Sequence, residues 1–238
     1  MSFDFLPART DSAATNMATD FLMLQHYPTP AHARFRSYGW QRPAFTFGYS
    51  QKIAWVREQI GHDGADAELC RRPTGGGIVD HRNDWTYALV IPPGHPLFAD
   101  RAVASYEAVH RVLATTLQGL GTDARLKESC DPDPACAPVG PGVCFDRAER
   151  FDVVHATTGR KIAGAAQKRS KRGLLFQGSL SRAELGRPDD DALAEAFPRA
   201  LASMLGLEVT HPGWPELWDD SIDALAENYA SPEWNERR

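Results

Sequence analysis

The sequence predicts an α+β domain built on a mostly antiparallel sheet flanked by helices. Segments dense in β-branched and aromatic residues come in runs and do not alternate one by one with helices. Amphipathic helical segments fall between those runs and after them. Neither G-x-G-x-x-G nor a Walker A sequence is present. Gly75, Gly76 and Gly77 have no Lys-Ser/Thr at the required offset, so the two common nucleotide-binding turns of parallel sheets are unsupported.

In chain order, Asp11 to Gln25 reads as a helix. Asp11 or Ser12 caps it, and Met17, Phe21 and Leu24 share one face at i, i+4, i+7. Tyr27-Pro28-Thr29-Pro30 ends it. Arg34 to Tyr38 alternates like a strand, Gly39 to Pro43 reads as a turn, and Ala44 to Gln51 as a second strand entering a loop. Ile53 to Ile60 reads as a short helix. Leu69 to Arg72 and Ile78 to Asp80 flank a glycine run, and Trp85 to Ile91 is the strongest strand signal. Ser105 to Leu120 is the clearest helix, with Tyr106, Val109, Val112, Leu113, Leu117 and Leu120 on its apolar stripe. Arg150 to Val154 pairs with Arg160 to Gly164 across a Thr157-Thr158-Gly159 turn. Leu174 to Leu180 is the next strand, after a basic turn from Lys168 to Gly173. Pro188 to Asp191 opens a helix with acids in its first turn, and Pro198 marks a place for it to split in two. Leu217 to Tyr229 is a last amphipathic helix. With no repeat and no linker between two cores, residues 1–238 read as one domain.

Composition narrows the classes. Apolar residues make up 42% and charged residues 24% of 238, enough to bury a core without staples. A net charge of −5 argues against electrostatic binding of nucleic acid by the molecule as a whole. No stretch approaches the roughly 18 apolar residues that cross a bilayer. Met1 to Gln25 lacks the basic and apolar regions of a secretory signal, so no membrane role and a cytoplasmic location are expected. Of the four cysteines, Cys130, Cys136 and Cys144 share a Pro/Gly-rich stretch and Cys70 stands apart. Their spacings are wider than C-x2-4-C, so no metal site is expected, and a reactive thiol at one position is the more informative option.

Two stretches can carry chemistry. Three consecutive glycines, Gly75 to Gly77, follow Arg71-Arg72-Pro73-Thr74 and precede Ile78-Val79-Asp80-His81. Bare backbone beside fork-shaped cations suits an anion or a thin ligand, and it equally suits a plain turn between strands. The second stretch is Gly159-Arg160-Lys161-Ile162-Ala163-Gly164-Ala165-Ala166-Gln167-Lys168-Arg169. A lysine among small residues can project into a crevice and hold a carboxylate, a phosphate or an oxyanion. A solvated lysine near a hairpin turn is the plainer alternative.

Five motifs in order, spanning about residues 10 to 185, resemble the lipoate-protein ligase and octanoyltransferase family. They are Asn16 to Asp20, Arg36 to Trp40 with Pro43 to Gln51, Arg71 to His81, Gly159 to Arg169, and Leu174 to Leu180. The resemblance implies a biotin/lipoyl protein ligase-type (BPL/LPL) catalytic domain that acylates a lysine on lipoyl domains of 2-oxoacid dehydrogenases or of the glycine cleavage H protein. It implies that Gly75, Gly76 and Gly77 form one wall of an acyl tunnel. Lys161 matches the family's active-site lysine, with Arg71, Arg72, His81, Gly164, Gln167 and Gly178 as substrate-binding residues. Val143-Cys144-Phe145 resembles the transferase branch in which a cysteine carries octanoate from acyl carrier protein, and Cys144 also fits a small buried apolar residue. The transferase reading needs no cofactor. The alternative ligase reading needs ATP and Mg to activate lipoate, alone or with a partner chain. A third reading is a lipoate-binding protein without turnover. About 50 residues follow Leu180 to Ala183, too few for a ligase accessory domain, and residues 186–238 are expected to be helices packed on the domain. Where the family carries His-Asp after its glycines, this chain has His81-Arg82-Asn83-Asp84, so no role passes to Asn83 or Asp84.

Overall fold

The computed structural model describes residues 1–129, 148–186, 189–216 and 218–237. The chain begins with β1 (Phe3–Phe5), β2 (Arg9–Asp11), α1 (Ala13–Gln25), β3 (Ala33–Trp40), β4 (Ala44–Phe47) and α2 (Ile53–Ile60). It continues through β5 (Glu68–Arg71), β6 (Ile78–Asp80), β7 (Asp84–Ile91), α3 (Pro96–Ala99) and α4 (Ala102–Gly119). Then come β8 (Ala124–Leu126), β9 (Val153–His155), β10 (Lys161–Ser170), β11 (Gly173–Ser181) and α5 (Arg182–Leu185). The last elements are α6 (Asp190–Leu205), β12 (Val209–Thr210), α7 (Trp218–Ala230) and α8 (Pro232–Asn235).

The large sheet runs β12-β1-β3-β7-β11-β10-β9-β8, with β2 on the end of β3. From β3 onward every pairing is antiparallel; β1 pairs parallel with β12 and β3, and β2 pairs parallel with β3. A small sheet, β5-β4-β6, stands beside it over a core of Phe45, Phe47, Val56, Ile60 and Ile78.

The period of two along β7 explains the layers. Trp85, Tyr87, Leu89 and Ile91 face one core, shared with Val109 and Leu113 of α4 and Phe197 and Leu201 of α6. Ala88 and Val90 face the other, shared with Met17 and Met23 of α1 and Ile222 of α7. Both faces are covered, so all eight residues of β7 are buried. On the α1 side, β11 gives Leu175 to this core, and its next residues on that face are Gln177 and Ser179. There the sheet turns polar, and a cleft opens.

A buried ion pair joins α1 to the sheet. Asp20 Oδ1 accepts from Arg36 Nη2 at 2.6 Å, and both side chains are fully buried. Asp20 Oδ2 accepts from Tyr38 Oη at 3.0 Å and Gln177 Nε2 at 2.7 Å. Burial and the adjacent carboxylate push the Tyr38 phenol well above its usual value.

The sequence expectations meet three differences. Gly39 and Trp40 continue β3 instead of turning, because β2 pairs with them. Pro198 lies inside one continuous α6. Leu193, Phe197, Leu201 and Leu205 all face the first core there, and that burial offsets the hydrogen bond proline removes. The short strands β1, β2, β8 and β12 have no counterpart in the expected order; two or three residues carry no readable period.

Replacing Asp20 with alanine leaves Arg36 buried without its countercharge. We expect a loss of about 3–5 kcal/mol in unfolding free energy, measured by urea denaturation.

Candidate active site

The cleft begins with the glycine turn, which is held by its own carbonyls. Arg72 Nη2 donates to Gly75 O at 2.8 Å and Gly77 O at 3.0 Å, and Gln51 Nε2 donates to Gly76 O at 3.0 Å. Gly76 has φ +92°, a conformation that side chains rarely adopt. Thr74 Oγ1 donates to Gln177 Oε1 at 2.7 Å, so the turn is tied through Gln177 to Asp20.

A cavity of about 60 Å³ lies between this turn and the large sheet. Gly164, Ala165, Ala166, Gln177, Gly178, Ser179 and Thr86 form its floor, and Thr46, Arg72, Gly76, Val79 and His81 its facing wall. Met17 and Tyr38 complete the lining, with Lys161 at the start of β10.

Lys161 Nζ lies 2.8 Å from Asp152 Oδ2, and the two side chains are 7% and 1% exposed. The same Oδ2 accepts from the Glu149 amide at 2.7 Å, and Oδ1 accepts from Tyr106 Oη at 2.5 Å. Tyr106 Oη in turn accepts from the Ala165 amide at 3.0 Å, on the stretch of β10 that lies beyond β9. Burial, reinforced by Asp152, pushes the Tyr106 phenol well above its usual value. A Cβ on Gly164 would sit 2.7 Å from Lys161 Cε and Nζ, so only glycine leaves the ammonium its place. Behind the pair, burial pushes His110 down to about 4. His110 Nε2 and Tyr87 Oη are buried there without a hydrogen-bond partner among the described residues.

On the facing wall, Arg72 Nη1 donates to Thr46 Oγ1 at 2.9 Å. Thr46 Oγ1 lies 2.7 Å from His81 Nε2, and His81 Nδ1 lies 2.7 Å from Asp84 Oδ2. The Asp84 carboxylate only accepts, so the hydrogen on His81 Nδ1 faces it, and in the neutral ring Nε2 then accepts the Thr46 hydrogen. Thr86 and Ser179 donate to the same Asp84 oxygen, and Trp40 stacks on His81 with centroids 4.0 Å apart.

The structure therefore brings together Lys161, Arg72, Gly76, His81, Gly164 and Gly178 of the sequence-derived set. Gly75 and Gly77 shape the turn through their carbonyls and are outside the cavity lining. Gln167 lies one step beyond, 3.3 Å from Ser105 Oγ. Arg71 points elsewhere. Its guanidinium donates to the carbonyls of Tyr49, Gln51, Trp234, Asn235 and Arg237, and its backbone is bonded by Asn235 and Trp234. Cys144, Cys130 and Cys136 lie outside the described residues. Cys70 is buried under α7, and burial pushes its thiol far up, which removes it as the reactive thiol. Among the described residues no group of three or more His, Cys, Asp or Glu could hold a metal.

Sequence reasoning missed Asp152, Tyr106, Thr46, Gln177 and Ser179. Gln177 and Ser179 had a visible signal, since they are polar residues alternating within an apolar strand. Tyr106 had none, because it sits on the apolar stripe of its helix.

Trp234 ties α8 to the signature turn through Arg71. Trp234→Ala should raise amide hydrogen exchange across Arg71 to Gly77 and leave β7 and β11 protected, as read by peptide-resolved exchange.

The lipoyl protein ligase A/B catalytic-domain profile matches residues 12–196. An octanoyltransferase LipM of Kyrpidia tusciae is 30% identical over 238 residues, covering 92% of this chain and 82% of its own length. One from Anoxybacillus flavithermus is 30% identical, covering 81% and 68%. Among solved structures, the T. acidophilum protein Ta0514, proposed to be a lipoate protein ligase, superposes with a TM-score of 0.74 at 20% identity, covering 99% of each chain.

Proposed function

The chain belongs to the lipoyl protein ligase A/B catalytic-domain family, and from that premise we propose that it transfers an octanoyl group to the acceptor lysine of lipoyl domains. Residues 1–238 act as one catalytic unit in this reading, with α7 and α8 as part of it. The observation that carries the reading is the buried Lys161–Asp152 pair at the cavity. The Glu149 amide sits on the same Asp152 oxygen as Lys161 Nζ.

The transfer has two steps. The Cys144 thiolate adds to the carbonyl carbon of an octanoyl thioester on acyl carrier protein, and the carrier thiol leaves. The lipoyl-domain amine then adds to the Cys144 thioester carbonyl, the C–S bond breaks, the departing sulfur takes up the amine's proton, and an amide remains. In both, Lys161 donates to the carbonyl oxygen as negative charge develops on it. Gly76, Gly164 and Ala166 leave room for a thin acyl chain, and each buried CH2 contributes about 0.8 kcal/mol. Thioester exchange needs no cofactor.

The rim suits an acidic protein partner. Lys168 Nζ lies 5.5 Å over the Tyr49 ring and Arg237 lies 4.0 Å over the same ring, which is 46% exposed. Lys171 and Arg172 extend this charge at the β10–β11 turn. No helix among the described residues is long and apolar enough to cross a membrane.

Mass spectrometry of an apo lipoyl domain tests the function. We expect an octanoyl adduct with octanoyl carrier protein and no ATP, and none with Cys144→Ser. An adduct formed only with lipoate and Mg-ATP, indifferent to Cys144→Ser, establishes the ligase reading that the fold similarity also supports. No adduct in either mixture leaves a lipoate-binding protein.

A Cβ in Gly164→Ala meets Lys161 Cε and Nζ at 2.7 Å and Asp152 Oδ1 at 3.1 Å, so it parts the ion pair. We expect kcat to fall about 100-fold and the melting temperature to drop, since a buried pair is parted.

A further inference from the structure

The proposed reaction uses a lysine amine as its nucleophile, and the site contains a lysine of its own. An amine attacks a thioester through its nitrogen lone pair, so a lysine at the acyl site has to be kept from competing with the acceptor. Beside an acyl thioester, a neutral Lys161 would be acylated as readily as the acceptor. Its Nζ lone pair would add to the carbonyl carbon, the C–S bond would break, and the thiolate would leave with the amine's proton. A stable amide would then block the site.

We propose that Asp152, positioned by Tyr106, guards Lys161 against this self-acylation. The carboxylate holds Nζ as an ammonium at 2.8 Å, and an ammonium nitrogen has no lone pair to attack with. Tyr106 Oη and the Glu149 amide each donate to Asp152, which keeps the carboxylate aimed at Nζ. The Ala165 amide fixes Tyr106 in turn, so the guard is anchored on the same strand as the lysine it restrains. Gly164 leaves the space in which the pair meets. The lysine can then donate hydrogen bonds to a carbonyl oxygen without competing for the carbonyl carbon. Asp152 is a positioning residue here, since it acts through Lys161 and not on the acyl group.

The inference rests on acyl transfer at this site, and one experiment separates the two. Wild-type protein, Asp152→Asn, Asp152→Glu and Tyr106→Phe are incubated with octanoyl carrier protein. Transfer to a lipoyl domain and acylation of the peptide containing Lys161 are both measured by mass spectrometry. We expect no octanoyl group on Lys161 in the wild type. In Asp152→Asn, Lys161 should be acylated and transfer should fall about 100-fold, chiefly in kcat. Asp152→Glu should restore an unmodified lysine, and Tyr106→Phe should show partial acylation. A folded Asp152→Asn that keeps Lys161 unmodified overturns the inference, as does equal acylation in the wild type. If Asp152→Asn does not fold, Tyr106→Phe decides by the same readout, and an unmodified Lys161 there overturns it. A wild type that transfers nothing removes the functional reading and the guard together.

Discussion

The carboxylate of Asp20 is the constraint on which the arrangement depends. It is fully buried on α1, and its oxygens meet Arg36 and Tyr38 of β3 and Gln177 of β11. Gln177 then accepts from Thr74 at the head of the glycine turn. One anion thus sets the distance between helix, sheet and turn. A charge buried this deeply is tolerated only where its partners are complete, so the groups it joins have one mutual arrangement. The floor and one wall of the cavity inherit their spacing from it.

The cavity itself comes from a change of polarity along two strands. The face of β7 and β11 that packs on α1 is apolar at Ala88, Val90 and Leu175. Further along the same face come Thr86, Gln177 and Ser179, which line the cavity. The small sheet covers that polar stretch without filling it, since the turn between β5 and β6 carries three glycines and no side chain reaches down from them. On the two sides stand two acid-anchored groups of different kinds. Lys161 is held by Asp152, and His81 is held by Asp84.

Much of this was legible in the sequence because it rests on local pattern. Trp85 to Ile91, the α4 stripe and the glycine run each announce themselves within a dozen residues, and the family resemblance joined them into one site. The strands β1 and β12 were not legible, because their pairing is decided by a partner some 200 residues away, as with Phe3 and Val209. Arg71 shows the same limit. Its sequence neighbours suggested a ligand for its guanidinium, yet the carbonyls that take its hydrogens come mostly from residues 234 to 237. Asp152 and Tyr106 are 46 residues apart and meet only because α4 covers the edge of β10. No spacing rule links them.

The clasp between Arg71 and residues 234 to 237 also orders events in time. During synthesis the glycine turn leaves the ribosome long before residues 234 to 237 exist. Until they emerge, a guanidinium destined for burial has to stay hydrated, and the Trp234 indole that caps the Arg71 carbonyl has yet to be made. The first and last strands of the large sheet wait for one another in the same way. A nascent chain can therefore assemble the middle of its sheet early, while the glycine turn reaches its final form only after residues 234 to 237 have emerged.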